Sequence, residues 1–188
     1  MTDERPAPPR RRRRILRRLA IIAVAAVLAG AAIVAAGAPV YVFPYADDVD
    51  SADVAFVVGP PTNQRINAAL RLHDRGVVER VLISVAEKGV HSADELDACN
   101  ESFVTCEHPD PYTTAGEAKM LDEFAPGARA VVITYTPHVS RTRYIFEQCF
   151  SGETFVDPVR RNLSTAQWAY QYAYQSLAFV KAWVTGCA

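Results

Sequence analysis

The run LAIIAVAAVLAGAAIVAAGAPVYVFPYA, residues 19–46, contains no charged side chain over 28 positions. About twenty apolar residues are enough to cross the hydrocarbon of a bilayer as a helix. Arginines occupy positions 10–14, 17 and 18, directly before this run. A basic flank on one side of a span is retained in the cytoplasm. The expected layout is therefore a cytoplasmic basic tail over 1–18, a transmembrane helix over 19–43 and an extracytoplasmic domain over 44–188. Tyr41, Phe43 and Tyr45 are then expected at the far interface. Ala36 and Ala38 also fit a signal-peptide processing site. The length of the apolar run, and Pro39 directly after such a cut, favour a retained single-pass anchor, with the cell membrane as the first expected partner.

The overall charge of -1 hides a segregation. The first 18 residues carry eight arginines against two acids, a net of +6, whereas Pro44 onward carries 12 Lys plus Arg against 19 Asp plus Glu, a net of -7. An acidic domain does not suit a phosphate backbone, so no nucleic-acid partner is expected. All four cysteines, Cys99, Cys106, Cys149 and Cys187, follow the apolar run. An even number in an exported domain points to two disulfides among three possible pairings. Cys99 with Cys106 closing a local loop, and Cys149 with Cys187 tying a helix to the C-terminus, is the favoured pairing. No CxxC pair supports a zinc site, and the spacing of His91 and His108 is unspecific, so no metal is expected.

From Asp53 the chain alternates between two periodicities. DVAFVVG (53–59) is a β-branched run closed by glycine, and Gln64–Arg75 places Ile66, Ala69 and Leu70 at helical spacing before Gly76. Arg80–Val85 reads as a second strand. Residues 86–111 lose all periodicity and form a long insert, stapled by Cys99 and Cys106, with a short helix expected near Asp94–Cys99. Thr114 with Glu117 matches a capping box for a helix reaching Phe124. Arg129–Tyr135 is a buried strand, Val139 or Ser140 to Phe150 a helix, and Glu153–Val156 a weak strand. Ser164 with Gln167 makes a second capping box for a helix to about Thr185. Alternating strands and helices predict an α/β domain with a mostly parallel sheet covered on both faces, which makes three layers.

Ligands of such sheets sit beyond the carboxyl ends of the strands. Three segments leave those ends: GPPTNQR (59–65), SVAEKG (84–89) and TYTPHVSR (134–141). They bring Arg65, Ser84, Thr134, Thr136, His138 and Arg141 toward one place, with free N–H groups at two helix starts. Hydroxyls, guanidiniums and helix N-termini in one cleft suit an anion such as phosphate or carboxylate. The same hydroxyl residues serve equally as helix caps. Arg143 reads as a surface residue. None of the common nucleotide, hydrolase or metalloprotease motifs is present, and the sequence leaves any cofactor open.

These segments resemble a bacterial cell-envelope family that includes SanA, ElyC and YdcF. The resemblance covers about Asp53 to Pro158. It rests on Val58-Gly59 followed by Arg65-Ile66-Asn67-Ala68-Ala69-Leu70, on Ser84, and on Thr113-Thr114-Ala115-Gly116-Glu117-Ala118. Its most specific element is Thr134, His138, Arg141 and Phe146 in the family's spacing. Two departures stand out: Val85 and Ala86 replace glycines usual after the serine, and the segment from Ser84 to Thr113 is rebuilt around Cys99 and Cys106. The resemblance implies a Rossmann-like domain behind a membrane anchor and a role in envelope or peptidoglycan-related processes.

The combined expectation is an anionic small molecule or lipid-linked sugar intermediate held by Gly59, Arg65, Ser84, Thr114, Thr134, Thr136 and Arg141. His138 would orient that group or move a proton, with Glu117 or Asp110 as the acid–base partner of a hydrolase reading. A module that docks envelope proteins through its aromatic last helix is the alternative from a different class.

Overall fold

The computed structural model describes residues 10–187. The chain divides into two units, 1–38 and 39–188. In the first, α1 (Arg10–Gly37) is a 28-residue helix without an acidic residue in its first turn. At about 1.5 Å per residue it is about 42 Å long. Together with a π-helical turn over Ala38–Val42, it makes a segment, Arg11–Val42, long and apolar enough to cross a membrane.

The second unit is built on five parallel strands in the order β3-β2-β1-β4-β5. These are β1 (Val54–Val57), β2 (Arg80–Ser84), β3 (Val104–Glu107), β4 (Arg129–Tyr135) and β5 (Glu153–Val159). The helices are α2 (Asn63–Asp74), α3 (Thr114–Phe124), α4 (Val139–Cys149) and α5 (Thr165–Thr185). The expected three-layer α/β architecture is therefore present, with every strand pair parallel.

Alternation along the strands assigns the two faces. Val54, Phe56, Leu82 and Val132 meet α3 and α4, with the Phe56 and Phe146 rings 5.5 Å apart. Ala55, Val57, Ile83 and Val131 meet Ile66, Ala69 and Leu72 of α2. Beside α2, the insert covers the rest of that face: Phe103 stacks on His73 at 3.6 Å, and Leu96, Cys99 and Cys106 pack against the same cluster. Near-continuous apolar runs such as VAFV follow from burial on both faces.

Several local readings change. The insert 86–111 contains the edge strand β3, and the helix expected near Asp94–Cys99 is two 3-10 turns, Ala93–Glu95 and Asp97–Asn100. The α3 cap is Thr113, whose hydroxyl accepts from Gly116 N–H at 3.2 Å; Thr114 is the first helical residue, and no capping box forms with Glu117. The Ser164–Gln167 box does form. Arg143 is not a free surface residue: it pairs with Asp47 at 2.7 Å and donates to the Tyr45 carbonyl. Both disulfides join the expected partners, Cys99–Cys106 and Cys149–Cys187. The second clamps the end of α4 to the residue two positions beyond α5.

Candidate functional site

In the strand order, β1 is the point from which the chain winds outward in both directions, toward β2 on one side and β4 on the other. Open parallel sheets leave a crevice at such a switch point, because the connections from adjacent strands diverge to opposite faces. Here a cavity of about 380 Å³ lies beyond the ends of β1 and β4. Its lining includes Gly59, Thr114, Glu117, His138 and Arg141, with Tyr112 from the turn before α3 and Tyr174 and Lys181 from α5. A volume of this size accommodates a small ligand or a headgroup.

Glu117 is the centre of the site. It sits in the first turn of α3, is 4% exposed, and accepts a hydrogen bond from Gly59 N–H at 2.6 Å through Oε1. Burial raises its carboxyl to about 7, against the opposing pull of Ser84, the Gly59 N–H, Arg65 and Arg141. The Ser84 hydroxyl is fully buried beside this carboxylate, close enough to favour its charge but without a hydrogen bond of good geometry. The absence of a side chain at Gly59 is what permits the arrangement. A Cβ there would lie 2.9 Å from Ser84 Oγ, 3.0 Å from Tyr112 Oη and 3.1 Å from Glu117 Oε1.

Arg65 is buried, and its Nη1 donates to the Val58 carbonyl at 2.6 Å. Burial lowers its pKa, and the nearby Glu117 opposes that shift. It therefore props the β1 end and biases Glu117 electrostatically, but it does not line the cavity. Arg141 does. Its Nε donates to Gln175 Oε1 at 3.1 Å and its Nη1 to Thr114 Oγ1 at 3.2 Å. A guanidinium has five N–H groups, so these two bonds orient the fork and leave three N–H groups for a ligand.

His138 lies in the 3-10 turn Thr136–His138 that joins β4 to α4. Burial first, then Arg141 and Arg65, hold its pKa down to about 3. At neutral pH it is an uncharged imidazole, which donates one hydrogen bond and accepts another but does not hold the second proton of an imidazolium. Of the expected acid–base pair, only Glu117 titrates in the range where enzymes use a general base.

The structure sorts the remaining expected residues. Thr136 Oγ1 donates to the Val159 carbonyl at 3.2 Å and ties β4 to the edge strand. Thr134 is fully buried, with its hydroxyl unpaired and away from the cavity lining. Val85, where the family resemblance led one to look for a glycine, donates its N–H to Glu107 and continues the pairing with β3.

Sequence reasoning missed three contributors: Tyr112, Lys181 and Gln175. Gln175 is fully buried and holds Arg141 from α5. Its one signal is a polar residue on the buried stripe of an otherwise aromatic helix, backed by Gln171 four residues earlier, which accepts from it at 3.0 Å.

Fold and site define a class of protein: a doubly wound parallel α/β domain with a polar cavity at its switch point, following a segment long and apolar enough to cross a membrane. No family model, curated protein or solved structure matches the chain.

Proposed function

We propose that this is a single-pass envelope protein whose outer domain holds an anionic ligand in the switch-point cavity. The ligand class is a phosphate-bearing small molecule or a lipid-linked sugar intermediate. The observation that carries the reading is Arg141: a half-buried guanidinium that lines the cavity, oriented by Gln175 and Thr114, with three N–H groups not engaged by those two bonds. Lys181 adds a second positive charge at the rim, and neutral His138 adds a directional hydrogen-bonding group. Guanidinium forks favour planar or tetrahedral oxyanions over other ligands.

The cytoplasmic placement of the N-terminus rests on the arginine block, and the outer placement of the domain on the two disulfides, which persist in oxidising compartments. The likeness to the SanA, ElyC and YdcF family supports an envelope role. Titration calorimetry of the full-length protein in detergent with farnesyl phosphate tests the binding. Arg141→Gln is expected to weaken it by about tenfold or more, equivalent to about 1.4 kcal/mol. Equal affinities for wild type and variant would refute the reading.

A specific observation favours a second reading, hydrolysis of the bound ester. Glu117 titrates near neutrality inside the cavity, where it can take a proton from an attacking water. Release of phosphate from a chromogenic phosphate ester, with a pH midpoint near 7 that disappears in Glu117→Gln, would support it. No release under any condition would leave binding alone.

A further inference from the structure

Helix α5 has two functional sides, and the site uses only one. Tyr174, Lys181 and Thr185 line the cavity, and Gln175 and Ala182 are buried on the domain. The adjoining outward side is open and apolar: Tyr170, Leu177, Val180, Trp183 and Val184 are exposed, Leu177 at 74% and Trp183 at 73%. These residues follow three- and four-residue steps, so they form one stripe along the helix. In all 21 residues of α5 the only charge is Lys181, on the cavity side. A continuous apolar stripe of this length facing water is unusual for a soluble surface.

What covers the stripe is indicated by the end of the membrane-crossing segment. That segment runs to Val42. Its last residues are fastened to the domain at the edge of the same stripe. Tyr41 Oη is 2.9 Å from Ser176 Oγ, its ring packs edge-on against Tyr172 at 5.1 Å, and the Val40 carbonyl accepts from Ser140 Oγ at 2.8 Å. Ser176 leads by four residues to Val180 and by seven to Trp183, so the stripe begins beside the residue that holds Tyr41. Tyr41, the next-to-last residue of that segment, is thus hydrogen-bonded directly to α5. Tryptophan and tyrosine at such a level are the side chains that settle at the lipid–water boundary.

We infer that the outer stripe of α5 is a second membrane contact, which seats the domain on the bilayer surface so that the cavity beside the stripe opens at the lipid boundary. The inference rests on the membrane-span reading. It also narrows the ligand: an anion presented at that level is the headgroup of a lipid-borne phosphate, whose chain remains in the membrane while Arg141 and Lys181 meet the phosphate.

The test uses full-length protein with Trp168→Phe, which leaves Trp183 as the single tryptophan, reconstituted in phosphatidylcholine vesicles and floated on a density gradient. With lipid brominated near the headgroup end of the acyl chain, Trp183 should lose most of its emission, while aqueous iodide should have little effect. Adding Leu177→Glu and Val180→Glu, both on exposed positions, should reverse that order. Iodide quenching of Trp183 in floated protein overturns the seating alone. Protection from both quenchers overturns it too, and assigns the stripe to a second copy or another protein. Failure of the protein to float overturns the span, and the seating with it.

Discussion

Gly59 N–H donates to Glu117 Oε1 across 2.6 Å, between the end of β1 and the first turn of α3, 58 residues apart in the chain. The peptide that in many switch-point sites is free to meet a ligand's anion here meets an internal carboxyl. With Glu117 in that position, the proposed anion is left to Arg141 and Lys181, the cavity-lining cations of α4 and α5.

The fit around Gly59 leaves no room for a methyl group. Gly59→Ala would place a Cβ within about 3 Å of three polar atoms on Ser84, Tyr112 and Glu117. Tyr112 is the most exposed of the three and is expected to move first. The variant should lose about 1–3 kcal/mol of stability, read from urea unfolding, with a weaker response of cavity binding to farnesyl phosphate.

Stability against pH should show two opposing contributions. Glu117 has a folded pKa raised from 4.5 to about 7, so its favourable contribution is complete below about 4.5 and is lost as pH rises to about 7. His138 has a folded pKa lowered from 6.5 to about 3, so its contribution is complete above about 6.5 and is lost as pH falls toward 3. Between these limits the slopes oppose each other. Glu117→Gln removes one of them: unfolding midpoints should then rise steadily with pH from 3 to about 6.5 and stay level to pH 8. For the wild type, the decline attributable to Glu117 is on the order of 3 kcal/mol across its window. A variant with the same profile as wild type would contradict the assignment.

Gln175 positions Arg141 without being placed to touch a ligand. Gln175→Leu preserves bulk but leaves the Arg141 Nε without its acceptor, at a cost of about 1–3 kcal/mol. Affinity for farnesyl phosphate should fall, and Gln175→Glu, which keeps an acceptor, should recover more of the stability than Gln175→Leu. Equal effects of the two variants would show that Gln175 acts through packing alone.

The Cys149–Cys187 bridge closes a 38-residue separation and anchors the helix that walls the cavity. Chain-entropy reasoning assigns it about 4 kcal/mol, against about 2 kcal/mol for the seven-residue Cys99–Cys106 loop. Replacing Cys149 and Cys187 by serine should therefore cost more stability than replacing Cys99 and Cys106, and should also loosen Lys181 and Gln175. Comparison of the two double variants by thermal unfolding checks the ranking.

The parts of the fold that were legible in the sequence share a physical property: their signal is local. Runs such as VAFV and AVVITY are buried on both faces and are bounded by glycine, proline or a cap, so composition alone marks them. β3 was not legible, because VTCE is four residues long and half exposed at the sheet edge. Thr114 and Glu117 had the spacing of a capping box. Thr113 took the cap, and the carboxyl turned inward to Gly59, a tertiary contact that outweighs a local preference. The site was half legible for the same reason. Gly59, Thr114, Glu117, His138 and Arg141 follow from strand ends and helix starts, whereas Tyr112 reaches the cavity from the turn before α3, Lys181 only through the docking of α5, and Gln175 acts from α5 through Arg141. Arg65 and Thr136 had the right position in the chain but turn to the Val58 and Val159 carbonyls and do not line the cavity.

The central claim is that the cavity beside Arg141 holds a phosphate-bearing ligand. Native mass spectrometry of the full-length, oxidised protein released from mild detergent, with fragmentation of any retained adduct, tests it most directly. The account predicts a phosphate-containing adduct on the wild type that is absent from Arg141→Gln while both proteins keep their two disulfides. An adduct-free wild type that also fails to take up added farnesyl phosphate would contradict it.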